Sequence, residues 1–401
     1  MRKILLIMLL ATLIMVVALS GCGAKKGQLS GKIYDNATKE LITGSVVVTL
    51  TGESSITVTN GQFQFTDVPV GSKTLTVQAE GYETYTATVK IEAGKKTTKD
   101  VYLVEEVIIP PDPVPGDKST YTLDDVVFDM RYAPSGSFTS DDYLISENAN
   151  LPGEVEVANP FWIAETEVTY ELWYKVYTWA MANGYTFLGE GREGNDGVTG
   201  AAPTDASQEP VTTVYWRDAV IWCNALTEYY NAENGTSFDC VYKMDGNPAR
   251  DATNTLIDKI TPDSNAKGFR LPTINEWQLA ARYQDGTVWT PGDHVSGDTS
   301  GPCYSTDPTT VLSTVFGDYA WYNSTSTQPV GQKLANALGV KDMCGNVSEL
   351  CFDRTSAGYN SRYYRGGCTP AATLYLQIGK VRNIPTDFTY DNLGFRFVRT
   401  P

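Results

Sequence analysis

Side chains able to do chemistry are sparse in this chain. Its 401 residues include one histidine, His294, and seven cysteines. Ser-His-Asp hydrolysis, histidine-ligated zinc and a two-histidine iron centre each need at least one well-placed imidazole. His294 sits in Thr290-Pro-Gly-Asp-His-Val-Ser-Gly297, whose turn residues place it in a solvent-exposed loop, so those chemistries are unsupported. After Cys22 the cysteines are Cys223, Cys240, Cys303, Cys344, Cys351 and Cys368. No pair has metal-finger spacing, and in an oxidising location an even set favours disulfides whose pairing the sequence does not choose. Two carboxylates, Asp342 and Glu349, flank a tight turn containing Gly345. Calcium takes oxygen donors and tolerates backbone carbonyls, so this turn suits it.

Positioning such groups takes packed domains. A content of 42% hydrophobic residues with 11% aromatics argues for folded cores and against general disorder. The length exceeds one ordinary core, so at least two domains are expected. The formal charge of -16 repels phosphate backbones, and no nucleic-acid partner is expected. Residues 28–104 alternate apolar and polar positions, as in Ser45-Val-Val-Val-Thr-Leu50 and Gln62-Phe-Gln-Phe65, with turns at Asn60-Gly61 and Pro69-Val-Gly71. Short strands at that spacing read as a β-sandwich. Residues 105–121 read as a linker, with four prolines between Pro110 and Pro115 favouring an extended spacer of about 3.1 Å per residue. From residue 122 to 401 the pattern is mixed. Helices are expected at Glu171–Asn183 and Asp218–Asn231, and a third opens at Thr273, whose hydroxyl and Glu276 form a capping box. Long Gly, Asp, Thr and Ser-rich loops with few long strands fill the rest.

The first 21 residues carry Arg2 and Lys3, an apolar run and Leu19-Ser-Gly-Cys22. They read as a secretory signal rather than a membrane span. The ending resembles the bacterial lipobox, which implies cleavage before Cys22 and acylation, palmitate-like, of its thiol and new amino terminus. Residues 22–27 would then be a lipidated tether, making the membrane a partner through the anchor. Gly23 stands where an inner-membrane retention signal shows Asp, pointing to the outer membrane in a Gram-negative host.

Five further strings carry a resemblance over the sandwich: Gly31-Lys-Ile33, Asn60-Gly-Gln-Phe-Gln-Phe65, Val68-Pro-Val-Gly71, Ala79-Glu-Gly-Tyr82 and Asp100-Val-Tyr-Leu103. They resemble the carboxypeptidase regulatory-like domain, which implies a spacer. In the C-terminal part, Phe128-Asp-Met-Arg-Tyr-Ala-Pro-Ser-Gly-Ser-Phe138, Pro160-Phe-Trp-Ile-Ala-Glu-Thr-Glu-Val-Thr169 and Pro210-Val-Thr-Thr-Val-Tyr-Trp216 come in order. Gly268-Phe-Arg-Leu-Pro-Thr-Ile-Asn-Glu-Trp277, Asp342-Met-Cys-Gly-Asn-Val-Ser-Glu349, Arg365-Gly-Gly-Cys368 and Gly394-Phe-Arg396 follow. Together they resemble the formylglycine-generating enzyme, or sulfatase-modifying factor, family. The fold class this implies is multidomain: an N-terminal all-β sandwich, then an irregular α+β domain of C-type-lectin-like kind.

The resemblance also implies site residues. Asp342, Gly345, Val347 and Glu349 match positions that bind a structural calcium in the family. The family's oxidase chemistry needs two close thiolates holding copper, since soft sulfur selects Cu(I). Here Cys368 is the sole candidate catalytic residue of its segment, because Thr369 to Ile378 contains no cysteine. Cys368 stands either in a structural disulfide with Cys351 or Cys344, which an exported location favours, or beside another thiol in a rebuilt redox pair. Other members are exported binding proteins with diversified C-terminal segments. The corresponding stretch here offers Tyr359, Asn360, Tyr363, Tyr364, Tyr375, Asn383, Asp387, Phe388 and Tyr390. Tyrosine and asparagine suit recognition because rigid amphipathic rings and short amides bind many shapes at low entropic cost. The functional expectation is an envelope lipoprotein whose catalytically lapsed domain binds an extracellular or periplasmic protein or glycan. The competing expectation is an oxidoreductase or protein-modifying enzyme using Cys368 with a second cysteine.

Overall fold

The computed structural model describes residues 25–106, 112–145, 149–355, 360–369 and 372–401. The signal segment, Cys22, Pro110, Pro111 and Tyr359 lie outside the described residues. The chain divides into two compact units, one ending at Pro111 and one starting at Asp112.

The first unit is two four-stranded sheets around one apolar core. Lys26–Asp35 pairs antiparallel with Gln62–Pro69 and parallel with Lys96–Thr98 and Val101–Leu103. The other sheet runs Ile56–Val58, Val46–Leu50, Gly71–Ala79, Tyr85–Ile91. Strict alternation along Lys26–Asp35 sends Leu29 and Ile33 inward, where they meet Val48, Leu75 and Val101. Gly31 permits a close crossing, since a Cβ there would lie 1.9 Å from the Lys99 carbonyl oxygen. The strand takes in Lys26 and Gly27, the last two residues of the expected tether. Backbone pairing, with Gly27 lying against Glu92, claims them for the sheet.

In the second unit the beginning and end of the domain meet in one five-stranded sheet. Its order is Phe269–Arg270, Val398–Arg399, Phe161–Ala164, Val126–Ala133, Lys118–Leu123. Lys118–Leu123 pairs with Val126–Ala133, so the final residues of the expected linker are a strand. Tyr121 and Leu123 supply the reason, because both are buried in the core. A six-stranded sheet runs Ala149–Val157, Gly136–Leu144, Lys380–Pro385, Ser361–Arg365, Ser348–Arg354, Leu393–Gly394.

Three α-helices brace these sheets among the described residues. Helix α1, Tyr170–Ala182, starts where the Thr169 hydroxyl accepts from the Leu172 amide at 3.2 Å. Helix α2, Trp216–Asn234, is buried along most of its length, and Gly235 ends it in the left-handed region at φ 64°. Helix α3, Ile274–Arg282, carries the expected capping box from Thr273 and Glu276. Trp173, Trp216, Trp222 and Trp277 are fully buried. His294 is half-buried rather than exposed, with its Nδ1 2.7 Å from the Asp293 carboxylate.

Candidate functional site

The C-terminal strings converge on a single buried junction. Glu349 is its centre: Oε2 accepts from Trp277 Nε1 at 2.8 Å and from Arg396 Nε at 2.6 Å, while Oε1 accepts from Arg396 Nη2 at 2.7 Å. Arg396 also donates to the carbonyls of Ala164 and Lys341. Arg365 is buried over the Trp277 ring and donates to Asp142 and to the Ile378 carbonyl. Beside it, Gly366 and Gly367 take φ values of 87° and 71°, and a Cβ on Gly367 would lie 2.4 Å from the Tyr375 carbonyl oxygen. Only glycine tolerates both demands. The two turns are stitched together by Gly345 N donating to Gly366 O at 2.8 Å and Thr369 N to Asn346 O at 3.0 Å.

A further acid enters that the sequence does not mark. Glu167, inside the quoted Thr166-Glu-Val-Thr169 string, is buried and accepts from Asn346 Nδ2 and Val347 N. Burial, together with Asp342 and Glu349 nearby, holds its carboxyl well above the usual range. Burial also raises Asp342. Nothing local in the sequence marks Glu167 as an interior acid, because its partners lie about 180 positions away.

The calcium expectation meets this geometry badly. Asp342 Oδ1 is buried without a partner, as a ligand oxygen would be, while Oδ2 accepts from Gly331 N. Glu349, however, gives both oxygens to Arg396 and Trp277, and the guanidinium already supplies the positive charge. The four residues Asp342, Gly345, Val347 and Glu349 do not fit calcium as a set.

The thiols are equally unsuited to the family's oxidation. Cys223, Cys240, Cys303, Cys344 and Cys351 are buried and unbridged. The expected disulfide from Cys368 to Cys351 or Cys344 is therefore absent. Each of those two sulfurs sits inside the packed core, and Cys344 Sγ accepts from Ser296 N at 3.4 Å. Burial pushes the Cys240 and Cys303 thiols up to about 12 and raises Cys223, Cys344 and Cys351 as well. A thiolate is the species that ligates copper or attacks, and these environments oppose it. Cys368 is also buried.

The expected ligand face separates into core and surface. Tyr364 is a correction, because it is only 8% exposed and packs in the main core. Tyr363 is half-buried against the second core, and Tyr375 is half-buried with the Arg382 guanidinium 4.2 Å from its ring centre. Asn383 is half-buried, whereas Asn360, Asp387, Phe388 and Tyr390 are exposed. Phe388 and Tyr390 form an edge-on pair with ring centres 5.3 Å apart. Their loop is fixed at four points: Thr386 N to Asn360 O at 2.6 Å, Phe388 N to Pro385 O, Thr389 Oγ1 to Val214 O, and Thr213 N to Tyr390 O.

A cleft of about 940 Å³ opens beside the start of α3, lined by Tyr242, Lys267, Arg270, Phe352 and Asp353 among others. Its charged groups serve the fold: Arg270 grips Glu276 with two hydrogen bonds, and Asp353 accepts from Ile274 N at 2.6 Å.

Residues 119–401 match the sulfatase-modifying factor enzyme 1-like domain. The chain belongs to that family. Residues 28–104 match the carboxypeptidase regulatory-like domain. Over 232 residues the chain is 30% identical to the chaperone protein LppX of Paenibacillus barcinonensis, covering 56% of this chain and 71% of that one. Among solved structures, Treponema denticola variable protein 1 is 28% identical with a TM-score of 0.53, spanning 72% of this chain and 100% of its own. CarF is 27% identical with a TM-score of 0.48, over 68% of this chain and 98% of its own. No helix among the described residues is long and apolar enough to cross a membrane.

Proposed function

We propose that this protein is an exported recognition module, anchored to the cell envelope through lipidated Cys22, whose sulfatase-modifying-factor-like domain binds a polypeptide instead of oxidising a cysteine. The observation that carries this reading is the Phe388–Tyr390 pair, two aromatic rings exposed on a loop that four hydrogen bonds hold in place. Aromatics fixed in advance lose little entropy on binding, which is how recognition loops gain affinity. Burial of five thiols opposes the oxidase alternative. A polypeptide ligand is favoured by the likeness to a protein named as a chaperone.

Site-specific photo-cross-linking tests the reading. A photoreactive residue at position 390 of the full chain, activated in intact cells, is expected to give a discrete protein adduct that the same residue at exposed Lys90 of the sandwich does not. Equal adducts at both positions, or none at 390, would count against it.

A further inference from the structure

Four exposed apolar side chains of the second unit have backbones tied to one place. Phe388 and Tyr390 are 51% and 46% exposed, and their loop bonds to Thr213 and Val214. Leu188 is 38% exposed, and its amide donates to Asp218 Oδ1 at 2.7 Å, with Gly189 N on Oδ2 at 3.0 Å. Leu256 is 55% exposed on the short 3-10 turn Thr255–Lys259, which Asp258 fastens to Arg217 by bonds of 2.8 and 2.7 Å. Arg217 closes the circle by donating to Thr386 Oγ1 at 3.2 Å. Residues 213–218, the lead-in and first turn of α2, thus hold three loops that are distant in sequence. Thr213, a β-branched residue, sits at φ 57°, a strained conformation that persists only where its surroundings impose it.

The charges on these loops have one prevailing sign. Glu190, Asp387 and Asp391 are exposed on them, against Lys259, while Asp218 and Asp258 are buried and bonded. The two acids at 387 and 391 bracket the aromatic pair. Aromatic faces attract cations, and exposed carboxylates beside them strengthen that preference.

We propose that Leu188, Leu256, Phe388 and Tyr390 form one docking surface around the first turn of α2, and that its partner is a polypeptide segment with apolar residues set between lysines or arginines. The leucines and rings take the apolar side chains, and Asp387 and Asp391 take the cations. This rests on the reading of the Phe388 loop as the ligand face, and adds to it the leucine-bearing loops and the chemistry of the partner.

Two fluorescein-labelled peptides with the same apolar residues, one carrying lysines and the other glutamates, test it by anisotropy on the full chain. The lysine peptide is expected to bind, to weaken as salt is raised, and to lose about 30-fold in affinity in Phe388→Ser/Tyr390→Ser. Leu188→Ser/Leu256→Ser is expected to lose roughly 5-fold. Unchanged melting curves would show that both variants remain folded. Equal binding of the glutamate peptide, or full affinity in either variant, overturns the proposal. So does a self-association of the protein that disappears in the aromatic variant, since the surface would then be serving a second copy. An adduct at residue 390 that proves to be a glycan or an acidic segment defeats the partner chemistry while leaving the ligand face intact. Absence of any adduct there defeats the face itself.

Discussion

The buried junction at Glu349 and the surface loop at Phe388 belong to one domain and treat polar and apolar groups in opposite ways. At the junction, Trp277, Glu349, Arg365 and Arg396 are withdrawn from water and bonded to one another or to backbone. At the loop, two large aromatic rings are left in water while the backbone beneath them is pinned. The residues that most mark the family are thus the ones that hold the domain together. Ordinary-looking residues in the Asp387-Phe-Thr-Tyr-Asp391 stretch carry the exposed rings. Family likeness reports the scaffold, and function has to be argued from the site.

Breaking the junction should have the largest effect. Glu349→Ala leaves the Arg396 guanidinium buried without its partner, an arrangement that costs about 3–5 kcal/mol. Urea unfolding should show that loss, and the double variant Glu349→Leu/Arg396→Met should recover much of it. A surface-like cost below about 1 kcal/mol would remove the distinction between the two regions. Gly367→Ala should follow, at more than about 1 kcal/mol, because its φ of 71° and the nearby Tyr375 carbonyl both resist a Cβ.

Asp218 lies beneath the surface region and gives a pH signature. Burial raises its carboxyl to about 7 from an ordinary 3.8, so the folded protein keeps a proton that the unfolded chain has released. Between those values the folded state binds more protons, and this group lowers stability as pH rises, by at most about 1.4 kcal/mol per pH unit. Its contribution is flat below about 4 and above about 7. Asp218→Asn should flatten the slope measured by unfolding from pH 4 to 7, and an unaltered slope would place that proton elsewhere.

Smaller effects sharpen the contrast. Because Arg396 takes the carboxylate expected to ligate calcium, adding calcium or EDTA should move the melting temperature by less than about 1 °C. Phe388→Ser/Tyr390→Ser should change stability by no more than about 0.5 kcal/mol, since exposed side chains contribute little to folding.

Legibility in the sequence follows the range of the interactions. Thr273 and Glu276 announce α3 because their contact spans three residues, and the alternation along Lys26–Asp35 announces its strand. The strands Ser348–Arg354, Ser361–Arg365 and Lys380–Pro385 give no such signal. Arg362 and Arg365 point inward there, toward partners such as Asp258 and Asp142 that lie 104 and 223 positions away. Tyr364 is a ligand-face candidate in the sequence because tyrosine suits both surface and core, and only packing separates the two. The assembly of Leu188, Leu256 and Phe388 around α2 depends on Asp218, Asp258 and Thr386 bonding across the fold, which no local pattern records.

The central claim is that the domain keeps its family's scaffold without its thiol chemistry. Native-state alkylation followed by mass mapping of every cysteine, with and without one equivalent of Cu(I), tests it most directly. The account predicts that Cys223, Cys240, Cys303, Cys344 and Cys351 stay unmodified until the protein is unfolded, and that copper changes nothing. Rapid native labelling of two cysteines, both protected by copper, would contradict it.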